Sequence, residues 1–227
     1  MFRQCSGMTD VAKGFWAPRN SFLPPIPELA MAADLLDAAA DALVRGDVEG
    51  SRARIAACDM PELNAYRALI VEGEKPEIHR FRSVPDAPPR IRGAAARMPG
   101  RQLSRDVFRR DGWRCRFCGI RILSLEAIKV LDTIFPDEVR WRVKPYRNRN
   151  AAFNVLASSL DHIVPHGRGG DNDVANLVAA CGSCQFGRMQ YTLEEVGFLD
   201  PRTRPPVVDT WDGLERLLRL RDVGGTN

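Results

Sequence analysis

The sequence lacks the features that would place it among membrane-spanning, secreted or repetitive proteins. No apolar run approaches the roughly 18–20 residues of a membrane span, because charged residues or prolines interrupt each one. Residues 1–16 contain no apolar core of the kind that a secretory signal requires, and no internal repeat or low-complexity segment is found. With 227 residues, of which 44% are hydrophobic, the chain is expected to form a cytoplasmic globular protein of one or two modest domains.

Cysteines are few, and their spacing argues against a disulfide framework. Four of the six form two Cys-x-x-Cys pairs, at Cys115, Cys118, Cys181 and Cys184. In an intracellular chain such pairs favour metal binding. Two tight turns that each present two sulfurs predict one tetrahedral zinc site, which would be structural because no coordination position stays open. Core or redox thiols are the alternative, although no thioredoxin-like βαβ pattern surrounds the pairs.

The charge is distributed unevenly, although the net charge is only +4. Residues 101–150 contain 13 Lys or Arg against 6 Asp or Glu, whereas residues 21–80 contain 6 against 11. A local basic segment of this kind favours a polyanionic partner. A solvated protein face would give the same pattern.

The first half of the chain has no residues with recognisable chemistry. Residues 1–81 are predicted to form an N-terminal arm followed by a small helical unit, in which self-association, partner docking and scaffold support are alternatives. Residues 82–103 are rich in proline and arginine and are predicted to form an extended linker. Apolar spacing of three and four residues predicts the helices of the unit at Glu28 to about Arg45, 48–58 and 61–72.

The second half is predicted to hold the functional domain, over residues 104–200, with an insert at 120–160. Residues 201–227 would add a C-terminal loop and helix. The Thr-x-x-Glu spacing of Thr192 and Glu195 is that of a capping box and indicates the start of a short helix. The elements predicted here are a helix with Ser104 as N-cap, a helix over 124–135, a half-exposed strand over 139–143, a short helix from Thr192 and a last helix over about 210–221.

The residues between the two cysteine pairs are typical of phosphodiester hydrolysis. That reaction needs a base to activate water, a divalent ion to neutralise charge and groups that orient both. Asp161 and His162 offer a carboxylate and an imidazole side by side. On a strand they would point to opposite faces, so both serve one site only if the strand ends there. Pro165 and the glycines at 167–170 favour such an ending.

Taken in order, these motifs resemble the HNH endonuclease family, in the variant that has zinc-binding cysteines around a ββα-metal finger. The resemblance covers about Ser104–Gln190 and implies an α+β fold. The residues that carry it are Arg109-Arg110-Asp111-Gly112, Cys115-x-x-Cys118-Gly119, Asp161-His162-Ile163-Val164-Pro165, Gly167-Arg168-Gly169-Gly170, Asp171-Asn172-Asp173, Asn176-Leu177 and Cys181-x-x-Cys184.

The resemblance implies a role for each matching position. His162 corresponds to the general base and Asp161 to a metal-ligating carboxylate. Asn176 corresponds to the residue that orients the loop and holds the base. Gln185 stands where the family usually has His or Asn as the second metal ligand, and its amide oxygen favours Mg²⁺ or Mn²⁺ over zinc at that position.

The partner implied by the resemblance is DNA. Basic residues that would contact its phosphates are Arg140, Arg142, Lys144, Arg168 and Arg188. The alternative function is a non-catalytic zinc ribbon that binds nucleic acid or a protein.

Overall fold

The N-terminal helices form where the sequence combines alanine-rich composition with helical apolar spacing. The computed structural model describes residues 20–21, 23–71 and 98–221, and in it α1 spans Pro27–Val44, α2 Val48–Ala57 and α3 Pro61–Val71. Each agrees with its predicted range to within one residue at either end. Residues 1–19, 22 and 72–97 lie outside the described residues, and with them most of the predicted arm and residues 82–97 of the predicted linker.

The remaining helices are short and surround a small sheet. The α-helices are α4 Arg101–Arg110, α5 Leu125–Ile134, α6 Pro136–Val139, α7 Ala151–Leu156 and α8 Gly182–Arg188. Single 3-10 helices lie at Tyr146–Asn148, His166–Arg168, Val174–Asn176, Glu194–Val196, Pro201–Thr203 and Glu215–Arg221. Among the helices that the structure describes, none has the length and apolar character to span a bilayer.

The sheet of the described residues is an antiparallel pair, β1 (Ser158–His162) and β2 (Leu177–Cys181). Leu160 lies opposite Ala179 in the register. The outer edge of β2 is covered, because Ala179 donates its backbone N–H to the Asp111 carboxylate at 2.8 Å and accepts the Arg116 N–H at 2.8 Å. The fold is therefore a mixture of helices and a two-stranded antiparallel sheet, with the first cysteine turn attached to β2.

The helical unit packs directly against the elements around the sheet. Helix α3 lies against α7 and α8, and buried residues of all three belong to one hydrophobic core. Ion pairs join the two parts as well: Arg52 reaches Glu138 at 2.7 Å, and Arg216 reaches Asp41 at 2.9 Å. Hence the N-terminal helices buttress the sheet.

The half-exposed strand predicted over residues 139–143 is wrong. Val139 ends helix α6, which begins at Pro136, a residue suited to the first helical position. Arg140 then takes a left-handed conformation with φ 52°, and the Asp132 carboxylate accepts the Trp141 N–H at 2.8 Å. The alternating pattern reflects a tight turn around Asp132.

Two helix boundaries also differ from the prediction. Helix α4 begins at Arg101 with Gly100 as N-cap, and the Ser104 hydroxyl lies inside the helix, donating to the Gly100 carbonyl at 3.1 Å. The last helix is shorter than predicted and begins at Glu215, because Gly213 and Leu214 both have positive φ. The capping box is present as predicted: Thr192 and Glu195 exchange backbone-to-side-chain bonds at 2.9 and 3.3 Å.

Candidate functional site

The two Cys-x-x-Cys turns meet in one four-sulfur cluster. The ligand atoms of Cys115, Cys118, Cys181 and Cys184 all lie within 4.8 Å of one another. A tetrahedral ion with bonds of about 2.3 Å to sulfur has edges of about 3.8 Å, and Cys118 Sγ lies 3.7 Å from Cys181 Sγ. That separation excludes a disulfide, for which about 2.05 Å is needed. The cluster is compatible with zinc.

The electrostatics of the cluster favour a bound cation. Burial opposes ionisation of Cys115, yet hydrogen bonds from the other three thiols lower its pKa well below the usual value. The pKa values of Cys181 and Cys184 are raised well above it, first of all by their hydrogen bonding to Cys115. The thiols thus cannot all ionise together in this buried position unless a cation neutralises them.

A separate cleft of about 360 Å³ lies at the end of β1, beside helix α8. His162, the last residue of β1, is 7% exposed and lines it. Its Nε2 lies 2.8 Å from Oδ1 of Asn172. Because this oxygen can only accept, the contact favours the tautomer of His162 that has its proton on Nε2 and a lone pair on Nδ1. Hence Asn172 selects one tautomer of His162.

Asn176 fixes the loop that follows β1. Its Oδ1 accepts the Val164 N–H at 2.8 Å, and its Nδ2 donates to the carbonyls of Val164 at 3.2 Å and Asp171 at 2.9 Å. Gly170 permits this close packing, since a Cβ there would lie 1.8 Å from the Val164 oxygen. The structure therefore places Asn176 in the loop contacts, while the hydrogen bond to the imidazole comes from Asn172.

Asp161 is buried and forms a two-point ion pair with Arg188. The guanidinium donates from Nε to Oδ2 at 2.8 Å and from Nη2 to Oδ1 at 2.5 Å. It also donates to the carbonyls of His162 and Ile163, and to that of Tyr191 at 2.7 Å. Burial raises the pKa of Asp161, and the charge and hydrogen bonds of Arg188 oppose that rise.

The position of Arg188 differs from the expected phosphate contact. A phosphate contact requires an accessible guanidinium, whereas Arg188 is 0% exposed and its donors are directed to Asp161 and to backbone carbonyls. Its guanidinium carbon also lies 5.9 Å from the ring centre of Phe117, in the first cysteine turn. In this structure Arg188 is a buried support for the end of β1.

Gln185 is half-buried at the wall of the cleft, which the buried His162 and the half-buried His166 also line. Its Nε2 donates to the Leu160 carbonyl at 3.4 Å, which leaves Oε1 as the oxygen available to a cation. His166 lies across from His162, with ring centres 5.9 Å apart. Asp161, Gln185 and His162 therefore all line one cleft, and both Asp161 oxygens accept hydrogen bonds from Arg188.

The other predicted phosphate contacts differ in how far they are engaged. Arg168 is largely buried and pairs with Glu195 at 2.8 Å, and Arg140 pairs with Asp59 of the helical unit. Arg142 is 75% exposed, with Asp132 at 3.2 Å, and Lys144 is exposed. Only Arg142 and Lys144 of the five predicted contacts present an exposed charge.

Sequence reasoning missed the partners of the two central residues. Asn172 lies ten positions beyond His162, and Arg188 lies 27 beyond Asp161. Asn172 could have been singled out because it stands among the Asp and Asn residues that follow the glycine pair at 169–170. No local pattern marks the pairing of Asp161 with Arg188.

Comparison with known proteins gives one match. The family model described as HNH endonuclease matches residues 151–185, which run from α7 through both strands into α8. No curated protein and no solved structure matches the chain. The matched segment contains Asp161, His162, Asn176 and Gln185, and the family comparison suggests nuclease activity in general.

Proposed function

We propose that the protein is a metal-dependent endonuclease that hydrolyses phosphodiester bonds in DNA, with the HNH-matched segment as its active site. The observation that carries the proposal is the contact of His162 with Asn172, which leaves an unprotonated Nδ1 in a cleft shared with Asp161 and Gln185. The order of two antiparallel strands followed by α8 supports a ββα-metal finger.

His162 would act as general base. Its Nδ1 accepts the proton of the attacking water, and the Nε2–H bond to Asn172 stabilises the resulting imidazolium and keeps the ring in place. Asn176 holds the loop that carries Asn172 at its far end. Both asparagines are thus positioning residues, and only His162 exchanges a proton with the reacting groups.

Asp161 and Gln185 would hold one Mg²⁺ or Mn²⁺ ion. One carboxylate and one amide oxygen fit a hard cation that keeps several water ligands. When bound, such an ion stabilises charge on the scissile phosphate and on the departing 3′ oxygen, giving 5′-phosphate and 3′-hydroxyl products. Because Arg188 neutralises Asp161, we expect weak ion binding and millimolar metal requirements.

The four cysteines would hold a structural zinc ion that fixes α8 against β2. Arg142 and Lys144 are the exposed cations that would contact DNA phosphates. Arg140 and Arg168 would contact phosphates only after their ion pairs open.

The proposal is tested by plasmid nicking with Mg²⁺, Mn²⁺ or Ni²⁺. His162→Ala should abolish metal-dependent nicking while zinc content and thermal unfolding stay unchanged. His79→Ala is the matched control, since His79 lies outside the matched segment, and should nick like the wild type. Metal-dependent nicking that survives in His162→Ala at the wild-type rate refutes the assignment of the base.

A non-catalytic nucleic-acid-binding module is the second candidate. The observation in its favour is that both Asp161 oxygens already bond to Arg188. It predicts salt-dependent DNA binding without nicking under any of the three ions, so the same assay separates the two functions.

A further inference from the structure

Large apolar side chains form an exposed rim around the proposed active-site cleft. Met98, Phe186 and Met189 all line it, and they are 49%, 50% and 56% exposed. Contiguous exposed apolar surface at a cleft is a mark of ligand contact. We call these three residues the apolar rim.

One residue of the apolar rim, Met189, has a strained backbone conformation. Phe186 directly follows Gln185 on α8 and stands two residues before the buried Arg188. Met189 has φ 53° and ψ −119°, outside the conformations that a residue with a side chain ordinarily adopts. Backbone strain of this kind is found chiefly at functional sites. The exposed position of Met189 is therefore not the relaxed outcome of a helix end.

Among the described residues that line the same cleft, none is a lysine or an arginine. Arg188 is buried in its pair with Asp161, and Arg168 is directed to Glu195. Among the described lining residues, only the three of the apolar rim are exposed, so they offer the main surface for contact beside the reacting phosphate.

We infer that the apolar rim binds a nucleobase next to the scissile phosphate, and that the substrate is single-stranded or locally unpaired nucleic acid. This inference rests on the proposed function, because it is the phosphodiester in the cleft that brings bases to the rim. An aromatic ring stacks on any base, and methionine adapts to its shape. In a continuous duplex the base faces are covered by their neighbours, so the contact requires an unstacked base.

The test measures binding by fluorescence anisotropy, using the full chain with His162→Ala and no added divalent ion. The probes are a mixed-sequence 20-nucleotide single strand and the corresponding duplex. Phe186→Ala should weaken binding of the single strand roughly tenfold, from about 1–3 kcal/mol per stacked base, and leave the duplex within twofold. Phe186→Trp should retain binding. Leu199→Ala is the matched control, since Leu199 is also 50% exposed but does not line the cleft.

A second set of probes separates stacking from a structural effect. One abasic nucleotide is moved along the single strand, and one position should weaken binding to the parent protein by a similar factor. Phe186→Ala should remove that position dependence, which a general loss of structure would not do. Circular dichroism checks that the variant is folded.

Each outcome has a distinct meaning. Equal losses for duplex and single strand, or no effect of any abasic position, overturn the inference even if the wild type nicks DNA. If cleavage is absent but one abasic position still weakens binding, the nuclease proposal is refuted and the nucleobase contact is supported. A fall from dimer to monomer mass in Phe186→Ala, measured by sedimentation, assigns the apolar rim to a second copy of the chain and overturns the inference as well.

Discussion

Replacing Arg188 with methionine should destabilise the protein more than the same replacement at any arginine in the elements that pack against α8. Methionine keeps the apolar length of the side chain but removes all five hydrogen bonds to Asp161 and to the carbonyls around it. The Asp161 carboxylate, 5% exposed, is left buried without its counter-charge.

The magnitude follows from the burial of both partners. Removing one member of a buried ion pair typically costs about 3–5 kcal/mol. For a protein of this size, about 2–4 °C of melting temperature correspond to each kcal/mol, so a fall of roughly 6–20 °C is expected for Arg188→Met. Urea unfolding followed by far-UV circular dichroism and by tryptophan fluorescence gives the free energy of unfolding, provided that the two signals coincide.

Two further variants make the measurement specific. Arg202→Met removes an arginine that also pairs with an aspartate, Asp200, at 2.6 Å, but whose side chain is 50% exposed; it should cost less than about 1 kcal/mol. Asp161→Asn combined with Arg188→Met removes both charges and should recover part of the loss, giving a coupling energy from the double-mutant cycle.

The reasoning is refuted if Arg188→Met costs no more than Arg202→Met. It is also refuted if the double variant is less stable than the sum of its single changes predicts, since that result would mean that the two charges do not stabilise each other.

Three other perturbations follow from the same geometry. Asn172→Ala should lower kcat roughly 10–100-fold at nearly constant KM. Asn172→Asp, which still accepts the hydrogen bond from His162, should retain activity and move the acidic limb of the pH–rate profile to higher pH. An unchanged kcat in Asn172→Ala would contradict the positioning role. Cys181→Ser should reduce bound zinc from one per chain to a fraction, measured by atomic emission, whereas Cys58→Ser should keep it; stoichiometric zinc in Cys181→Ser would exclude the four-sulfur site. Burial raises the pKa of Cys58 to about 12, so native protein should resist alkylation at Cys58 at pH 8. Because this pKa exceeds the ordinary thiol value of 9.0, the thiol should lower stability as pH rises from about 9 to 12. Rapid native labelling mapped to Cys58 would contradict this.

The sequence was informative where a local pattern decides the structure. Helix α1 follows from apolar spacing that Leu29, Ala32 and Leu36 satisfy with nearly complete burial. The capping box at Thr192 depends on residues three positions apart. The two cysteine pairs were also predictable to meet, since each turn presents half of a tetrahedral ligand set.

Prediction failed where distant residues decide. The alternation of Trp141 with charged neighbours resembles a strand, but the Asp132 carboxylate bonds the Trp141 backbone and forms a turn. The position of Arg188 in the sequence, close to the second cysteine pair, predicts a phosphate contact. Its burial depends on β1 bringing Asp161 beneath α8, a tertiary contact that spacing along the chain does not encode.

Helix α8 links the separate parts of the proposed site through four neighbouring residues. Cys184 belongs to the sulfur cluster, Gln185 faces the cleft, Phe186 belongs to the apolar rim and Arg188 binds Asp161. Since the helix has only seven residues, it is too short to be stable by itself in water. Its position comes from the sulfur cluster at one end, from the buried ion pair at the other and from packing against α3, α7 and the two strands. Loss of zinc should therefore abolish cleavage and the nucleobase contact together, although neither the general base His162 nor Phe186 belongs to the sulfur cluster.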